Sequence, residues 1–128
     1  MLDYSKQLFM IKPLIFILGV LSLLLGGSTP QERHDVFLFC LRSEASTLTI
    51  NRESNQLSVD NRELNNFFFE KGIVDLEEWI PGANDLDRDG NIYLNRIYRA
   101  YLSSDARSNI NIIINDIERL TSVLYAEN

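Results

Sequence analysis

The sequence closes on an amphipathic helical pattern that runs almost directly into a short apolar strand. Apolar residues recur at helical spacing and form one stripe, which consists of Ile110, Ile113, Ile114, Ile117 and Leu120. The following run, Val123–Glu127, is typical of a strand. This pair of elements constrains the fold, because the strand must pair with another strand and any edge left open is available to a second chain.

A second helix is predicted between Asp60 and Gly72. Asp60 and Glu63 have the spacing of a capping box, in which each side chain satisfies a free backbone amide of the first helical turn. Gly72 suits the left-handed conformation that commonly ends a helix. The apolar residues between these two signals fall on one helical face and are Leu64, Phe67 and Phe68.

Strand patterns occupy the remaining segments. The apolar run Val36–Leu41 predicts a central strand, residues 73–80 and 92–102 predict two more, and residues 47–50 and 56–59 predict a small hairpin. The main elements then follow the order strand, helix, strand, strand, helix, strand. This order predicts an α+β domain of the ferredoxin-like split βαβ (βαββαβ) type, with an antiparallel sheet and two helices on one face.

The N-terminal segment is typical of a bacterial signal peptide. Lys6 and Lys12 precede an apolar run over residues 14–25, and small residues follow it. We therefore predict a signal peptide over residues 1–28, a mature domain over residues 29–128, and a secreted or periplasmic location, with an uncleaved membrane anchor as the alternative. The apolar run is shorter than the roughly 20 residues of a membrane span, so no stable membrane span is expected after cleavage.

Composition and residue types disfavour several functions. The formal net charge of −6 disfavours nucleic acid as a partner, which requires a basic face. His34 is the only histidine in the sequence, and no Gly-x-Ser-x-Gly turn is present. Cys40 lies within an apolar strand pattern, which favours a small core residue over a nucleophile. The sequence therefore predicts that the chain is not an enzyme.

One acidic segment has the opening of a calcium-binding loop. Asp85, Asp87 and Asp89 occupy the first, third and fifth positions of an Asp-x-Asp-x-Asp-Gly pattern, and Gly90 permits the sharp turn. The twelfth position should supply a bidentate carboxylate, but here it is Arg96. The three aspartates are thus weak calcium candidates, with an acidic turn between two strands as the alternative. No other cofactor is indicated.

Three segments, in order, resemble the propeptides of subtilisin-family serine proteases. They are the Phe-rich helix end at residues 64–73, the Leu-x-Arg-Ile-Tyr-Arg pattern at residues 94–99, and the closing Val-Leu-Tyr-Ala-Glu at Val123–Glu127. Together they span about residues 36–128. Asn128 stands where these propeptides usually carry proline.

The resemblance implies a secreted domain that inhibits a subtilisin-like serine protease, assists its folding, or both. It implies that the sheet packs against two surface helices of the protease, and that the C-terminal strand lies product-like in the cleft. The protease-binding residues would be Val123, Leu124, Tyr125, Ala126, Glu127 and Asn128. We also expect the fold largely to survive deletion of residues 126–128, because they would lie past most of the sheet pairing. The alternative function is a small secreted calcium-binding or adhesion module that uses the loop of residues 85–91.

Overall fold

The fold of the described residues, 35–128, is of the α+β class. The structure is a computed structural model, and the predicted signal peptide and His34 lie outside the residues that it describes. In chain order the elements are β1 (Val36–Leu41), β2 (Ile50–Glu53), β3 (Gln56–Val59), α1 (Arg62–Lys71), β4 (Ile73–Glu78), β5 (Arg88–Asp89), β6 (Ile92–Tyr93), β7 (Ile97–Leu102), α2 (Ile110–Ile117) and β8 (Val123–Glu127).

Four of these strands form one antiparallel sheet in the order β4-β7-β1-β8. Phe39 in β1 lies opposite Tyr98 in β7 on one side and opposite Ala126 in β8 on the other. Each pair of strands joined through a helix is separated by one intervening strand: β7 lies between β1 and β4, and β1 lies between β7 and β8. Strands β2–β3 and β5–β6 form two separate hairpins.

The core lies between one face of the sheet and the two helices of residues 35–128. Phe37, Phe39 and Leu41 alternate along β1 and join the same buried cluster as the apolar faces of both helices. Within this cluster Phe39 stacks on Tyr98 with 5.6 Å between ring centroids. Both helices therefore cover the face of the sheet that carries Phe39.

Helix α1 ends at the predicted Gly72, but its N-cap is Asn61 and not the predicted Asp60. Asn61 is the N-cap, and its side chain accepts a hydrogen bond from the Leu64 amide at 3.0 Å. Gly72 ends the helix with φ of 76°, as predicted. A side chain at this position would be strained, and its Cβ would lie 2.9 Å from Ser103 Oγ.

The predicted capping box is wrong because its two side chains bind elsewhere. Asp60 accepts a hydrogen bond from the Thr49 amide at 2.8 Å and so fastens the segment before β2. Glu63 accepts hydrogen bonds from the backbone amide and the hydroxyl of Thr121, in the turn before β8. Asn61 has the extended backbone that a cap needs and takes the role instead.

The predicted strand over residues 92–102 is interrupted. A 3-10 turn over Leu94–Arg96 separates β6 from β7. Arg96 explains the break: its Nε donates to the Ala45 carbonyl at 2.9 Å, and its Nη1 donates to Asp85 at 2.9 Å. These contacts draw the chain out of the sheet before β7 begins.

The hairpin prediction is confirmed for its second strand and wrong for the start of its first. Ser54 and Asn55 form the turn with φ of 52° and 61°, values that suit a tight two-residue hairpin. Residues 47–49 do not pair as a strand, because the Leu48 amide donates to the Tyr98 hydroxyl at 2.8 Å. The first strand accordingly begins at Ile50.

The stripe predicted for the second helix faces the core. Ile110, Ile113 and Ile117 are buried, and Ile114 and Leu120 are partly buried against the same cluster. Ile112, off the stripe, is 60% exposed. Neither helix within residues 35–128 has the length and apolar character required to cross a membrane.

Candidate protein-binding site

Strand β8 lies at an edge of the sheet and pairs on one side only. Tyr125 lies opposite Cys40, and Glu127 lies opposite Leu38, with a register shift after Cys40. Within residues 35–128 no strand pairs with the outer edge of β8. The sequence pattern predicted this terminal strand, and the structure places it where a second chain could approach.

The six predicted protease-binding residues differ in exposure. Val123 and Ala126 are 0% and 8% exposed and belong to the core. Leu124 and Tyr125 are half-buried, whereas Glu127 and Asn128 are exposed. The residues that present side chains to a partner are therefore Leu124, Tyr125, Glu127 and Asn128.

The structure contradicts the reason for expecting the fold largely to survive deletion of residues 126–128, since two of these residues, Ala126 and Glu127, do not lie past the sheet pairing. Ala126 pairs with Phe39 and is buried, and Glu127 pairs with Leu38. Removing them would shorten the edge strand and expose part of the Phe39 ring to water. These residues contribute to the sheet itself and do not extend beyond it.

A side chain already occupies part of the open edge of β8. The Ala126 amide donates to Oε1 of Glu118 at 3.0 Å, from the turn that follows α2. A partner strand that adds to this edge must displace the Glu118 carboxylate from that amide. Sequence reasoning missed Glu118, because a carboxylate eight residues upstream gives no signal that it will reach the strand.

The opposite edge of the sheet, at β4, is covered in a similar way. Arg52, from the β2–β3 hairpin, donates through Nε to Asp75 at 2.7 Å and through Nη2 to the Leu76 carbonyl. Side chains that occupy free backbone groups at a sheet edge prevent unspecific pairing with other chains. At the β8 edge the Glu118 carboxylate makes such a contact with the Ala126 amide, and Glu127 and Asn128 at the end of the strand are exposed.

The face of the sheet away from the helices carries paired charges and aromatic rings. Glu77 lies opposite Arg99 in the register, and its Oε1 accepts hydrogen bonds from the Tyr101 hydroxyl and from Arg99. The Tyr101 hydrogen bond, with a further contribution from Arg99, lowers the pKa of Glu77. This face therefore presents a fixed, partly aromatic polar surface.

Cys40 lies on this second face but is fully buried. Burial raises the pKa of its thiol, although a hydrogen bond with Tyr125 partly opposes the rise. A thiol that resists ionisation is a poor nucleophile, which supports the interpretation of Cys40 as a packing residue. His34, the only histidine of the sequence, lies outside the described part of the chain. The absence of enzymatic activity therefore stays a prediction.

Asp85, the first aspartate of the calcium-like loop, already accepts hydrogen bonds from one arginine and one asparagine side chain. Asp85 Oδ1 accepts hydrogen bonds at 2.9 Å from both Asn95 and Arg96. The hydrogen bond from Asn95, together with Arg96, lowers the pKa of Asp85. The cation predicted to disfavour calcium thus contacts the first candidate ligand directly.

The other two candidate ligands, Asp87 and Asp89, have different positions in the loop. Oδ2 of Asp87 accepts a hydrogen bond from the backbone amide of Asn84 at 2.8 Å, and Asp89 belongs to the short strand β5. Gly90 makes the turn with φ of 59°. In the part of the chain that the structure describes, no group of three or more acidic, histidine or cysteine side chains could hold a metal ion. The calcium site therefore stays a prediction.

Comparison of the chain with protein families, curated proteins and solved structures finds no match. The resemblance to subtilisin propeptides accordingly rests on three sequence segments. The first forms the end of α1 and the start of β4, the second the 3-10 turn and the start of β7, and the third forms β8. All three segments therefore contribute residues to strands of one sheet, in which β4 and β8 are the two edges.

Proposed function

We propose that the chain is a secreted, propeptide-like domain that inhibits a subtilisin-like serine protease, assists its folding, or both. The strand order supports a ferredoxin-like split βαβ arrangement, because each helix-connected strand pair has one strand inserted between its members. In this proposal the β2–β3 and β5–β6 hairpins are elaborations of two connecting segments.

The observation that carries the proposal is the position of β8. It lies at the sheet edge and pairs only with β1 within residues 35–128. An edge strand binds an extended groove through backbone hydrogen bonds, and its alternate side chains fill pockets. This is the physical basis on which such a strand would occupy a protease cleft in the manner of a bound product.

The burial pattern refines how the strand would bind. Val123 and Ala126 stay in the core, so they hold β8 in the sheet during binding. Glu127 and Asn128 would enter the cleft first, and Leu124 would contribute its half-buried side chain. The polar second face of the sheet, with its Tyr101 and Arg99, would pack against the protease surface.

Within residues 35–128, no structural observation favours the alternative calcium-binding or adhesion function. Its first candidate ligand, Asp85, is held by Arg96 and Asn95. A calcium ion would have to replace both partners and would then lie beside a guanidinium group.

An inhibition assay tests the proposal. The full chain should inhibit at least one purified subtilisin-type protease, and Leu124→Asp should weaken inhibition by about tenfold or more, because it places a charge in an apolar contact. Ile112→Asp, on an exposed helix position, is the matched control and should inhibit normally. Absence of inhibition across a panel of such proteases would overturn the proposal, as would full potency of a folded Leu124→Asp variant.

A further inference from the structure

Apolar exposure in the described domain is concentrated on the loop between β4 and β5. Of the six large apolar side chains exposed in residues 35–128, three lie on residues 79–87: Trp79 at 39%, Ile80 at 37% and Leu86 at 89%. Single exposed apolar residues are ordinary, but three on one short loop indicate a contact surface. The proposed function, as derived from β8, does not use this loop.

The loop backbone is held in one conformation. Its base is closed by hydrogen bonds from the Trp79 amide to the Ile97 carbonyl at 3.0 Å and from the Leu94 amide to the Asp87 carbonyl at 2.9 Å. Within it, the Leu86 amide donates to Asn84 Oδ1 at 2.8 Å. A loop that is already ordered loses little conformational entropy when it binds, so its exposed Leu86 can act as an efficient anchor.

The surroundings of the loop are acidic. Glu78, Asp87 and Asp89 form no ion pair within residues 35–128. The one cation among the neighbouring residues 78–89, Arg88, lies over the Tyr93 ring at 5.6 Å from its centroid. The complementary surface is therefore an apolar pocket bordered by lysine or arginine side chains.

The loop and the C-terminal tip lie at opposite edges of the sheet but in nearly the same row, because Glu78 lies opposite Tyr98 and Ala126 lies opposite Phe39, the partner of Tyr98. Three strand spacings of about 4.8 Å separate the edge strands β4 and β8, so the two edges are about 14 Å apart. A standard interface of about 800 Å² on each partner is roughly 30 Å across and can include both edges. One protein can therefore contact the loop and the terminal strand together.

We infer that residues 79–87 form a second anchor for the same subtilisin-like protease, which receives Leu86 in an apolar pocket with a basic border, outside its substrate cleft. This inference rests on the proposed function. The terminal strand would contact the substrate cleft, whereas the loop would contact the protease surface beside it. The loop therefore adds affinity for a protease that carries such a pocket outside its cleft.

The test measures inhibition constants of the full chain and its variants against purified subtilisin-type proteases. Leu86→Ala should weaken inhibition of the protease that the full chain inhibits most strongly by at least about tenfold. Phe69→Ala is the matched control, since Phe69 is 78% exposed but lies on α1 away from the loop. Both residues are exposed, so both variants should keep the wild-type melting temperature.

A second variant tests the charge complementarity. Glu78→Gln combined with Asp89→Asn should slow association and reduce its dependence on salt, with little change in the dissociation rate. If the wild-type chain inhibits and Leu86→Ala inhibits equally well, or if Phe69→Ala loses as much, the second anchor is overturned and the proposed function stands. If the wild-type chain inhibits no protease, both are overturned.

Discussion

Replacing Ile117 by alanine tests whether α2 packs as described. Ile117 is 0% exposed and lies in the cluster between the helices and the sheet. Removing its outer carbons forfeits about 1.5–3 kcal/mol of transfer free energy, and the cavity left behind raises the expected loss to about 3–5 kcal/mol. Because a domain of this size is stable by about 5–15 kcal/mol, this is a large fraction of the total.

Urea unfolding followed by circular dichroism measures this loss, and thermal unfolding should show a drop of at least about 12 °C. Ile112→Ala is the control on the same helix. Ile112 is 60% exposed, so its substitution should cost less than about 1 kcal/mol, and the higher helix propensity of alanine offsets part of that. Equal losses for the two variants would refute the assigned helix face.

Two further predictions concern polar contacts. The Tyr101 hydroxyl lowers the pKa of Glu77 from its ordinary value of 4.5. This contact therefore stabilises the fold above pH 4.5, and the stabilisation is lost as the pH falls through the lowered pKa of the folded state. The urea concentration at the unfolding midpoint, measured from pH 7 to pH 3, should decrease once the pH is below about 4.5, and it should decrease less in Glu77→Gln. Glu118→Ala frees the Ala126 amide, so hydrogen exchange measured by NMR should accelerate there by about fivefold and stay unchanged at Phe39 in β1. Unchanged exchange at Ala126 would show that the carboxylate does not protect the edge.

Much of the fold follows from patterns that are local in the sequence. The apolar run of β1, the stripe of α2 and the terminal β8 are each set by periodicity within a few residues, and Gly72 marks the end of α1 by its own backbone preference. These features were predicted because the responsible interactions lie within a single element and its immediate flanks.

The errors arise where a distant contact overrides the local pattern. The pattern of residues 92–102 predicts one strand, but Arg96 donates hydrogen bonds to Ala45 and Asp85, and these contacts interrupt the strand. In the same way, Asp60 has the spacing of a cap yet bonds Thr49. The outcome of such competition depends on three-dimensional proximity, which the spacing of residue types does not encode.

The candidate site is predicted only in part for the same reason. The sequence identified β8 as a terminal strand but could not show that Ala126 is buried or that Glu118 bonds its amide. Those facts depend on the register between β1 and β8. The exposed Leu86 likewise gives no sequence signal, since its neighbours form an acidic turn that resembles a calcium loop.

The most direct test of the central claim is whether the terminal strand occupies the protease cleft. The binding affinity of the full chain should be measured for an inhibited protease whose non-primed subsites carry a covalent peptide chloromethyl ketone, and for the same protease unmodified. If residues 124–128 lie in the cleft, the blocked enzyme should bind at least about tenfold more weakly, because several hydrogen bonds and the Leu124 contact are lost. Equal affinity for the two forms would contradict binding through the cleft.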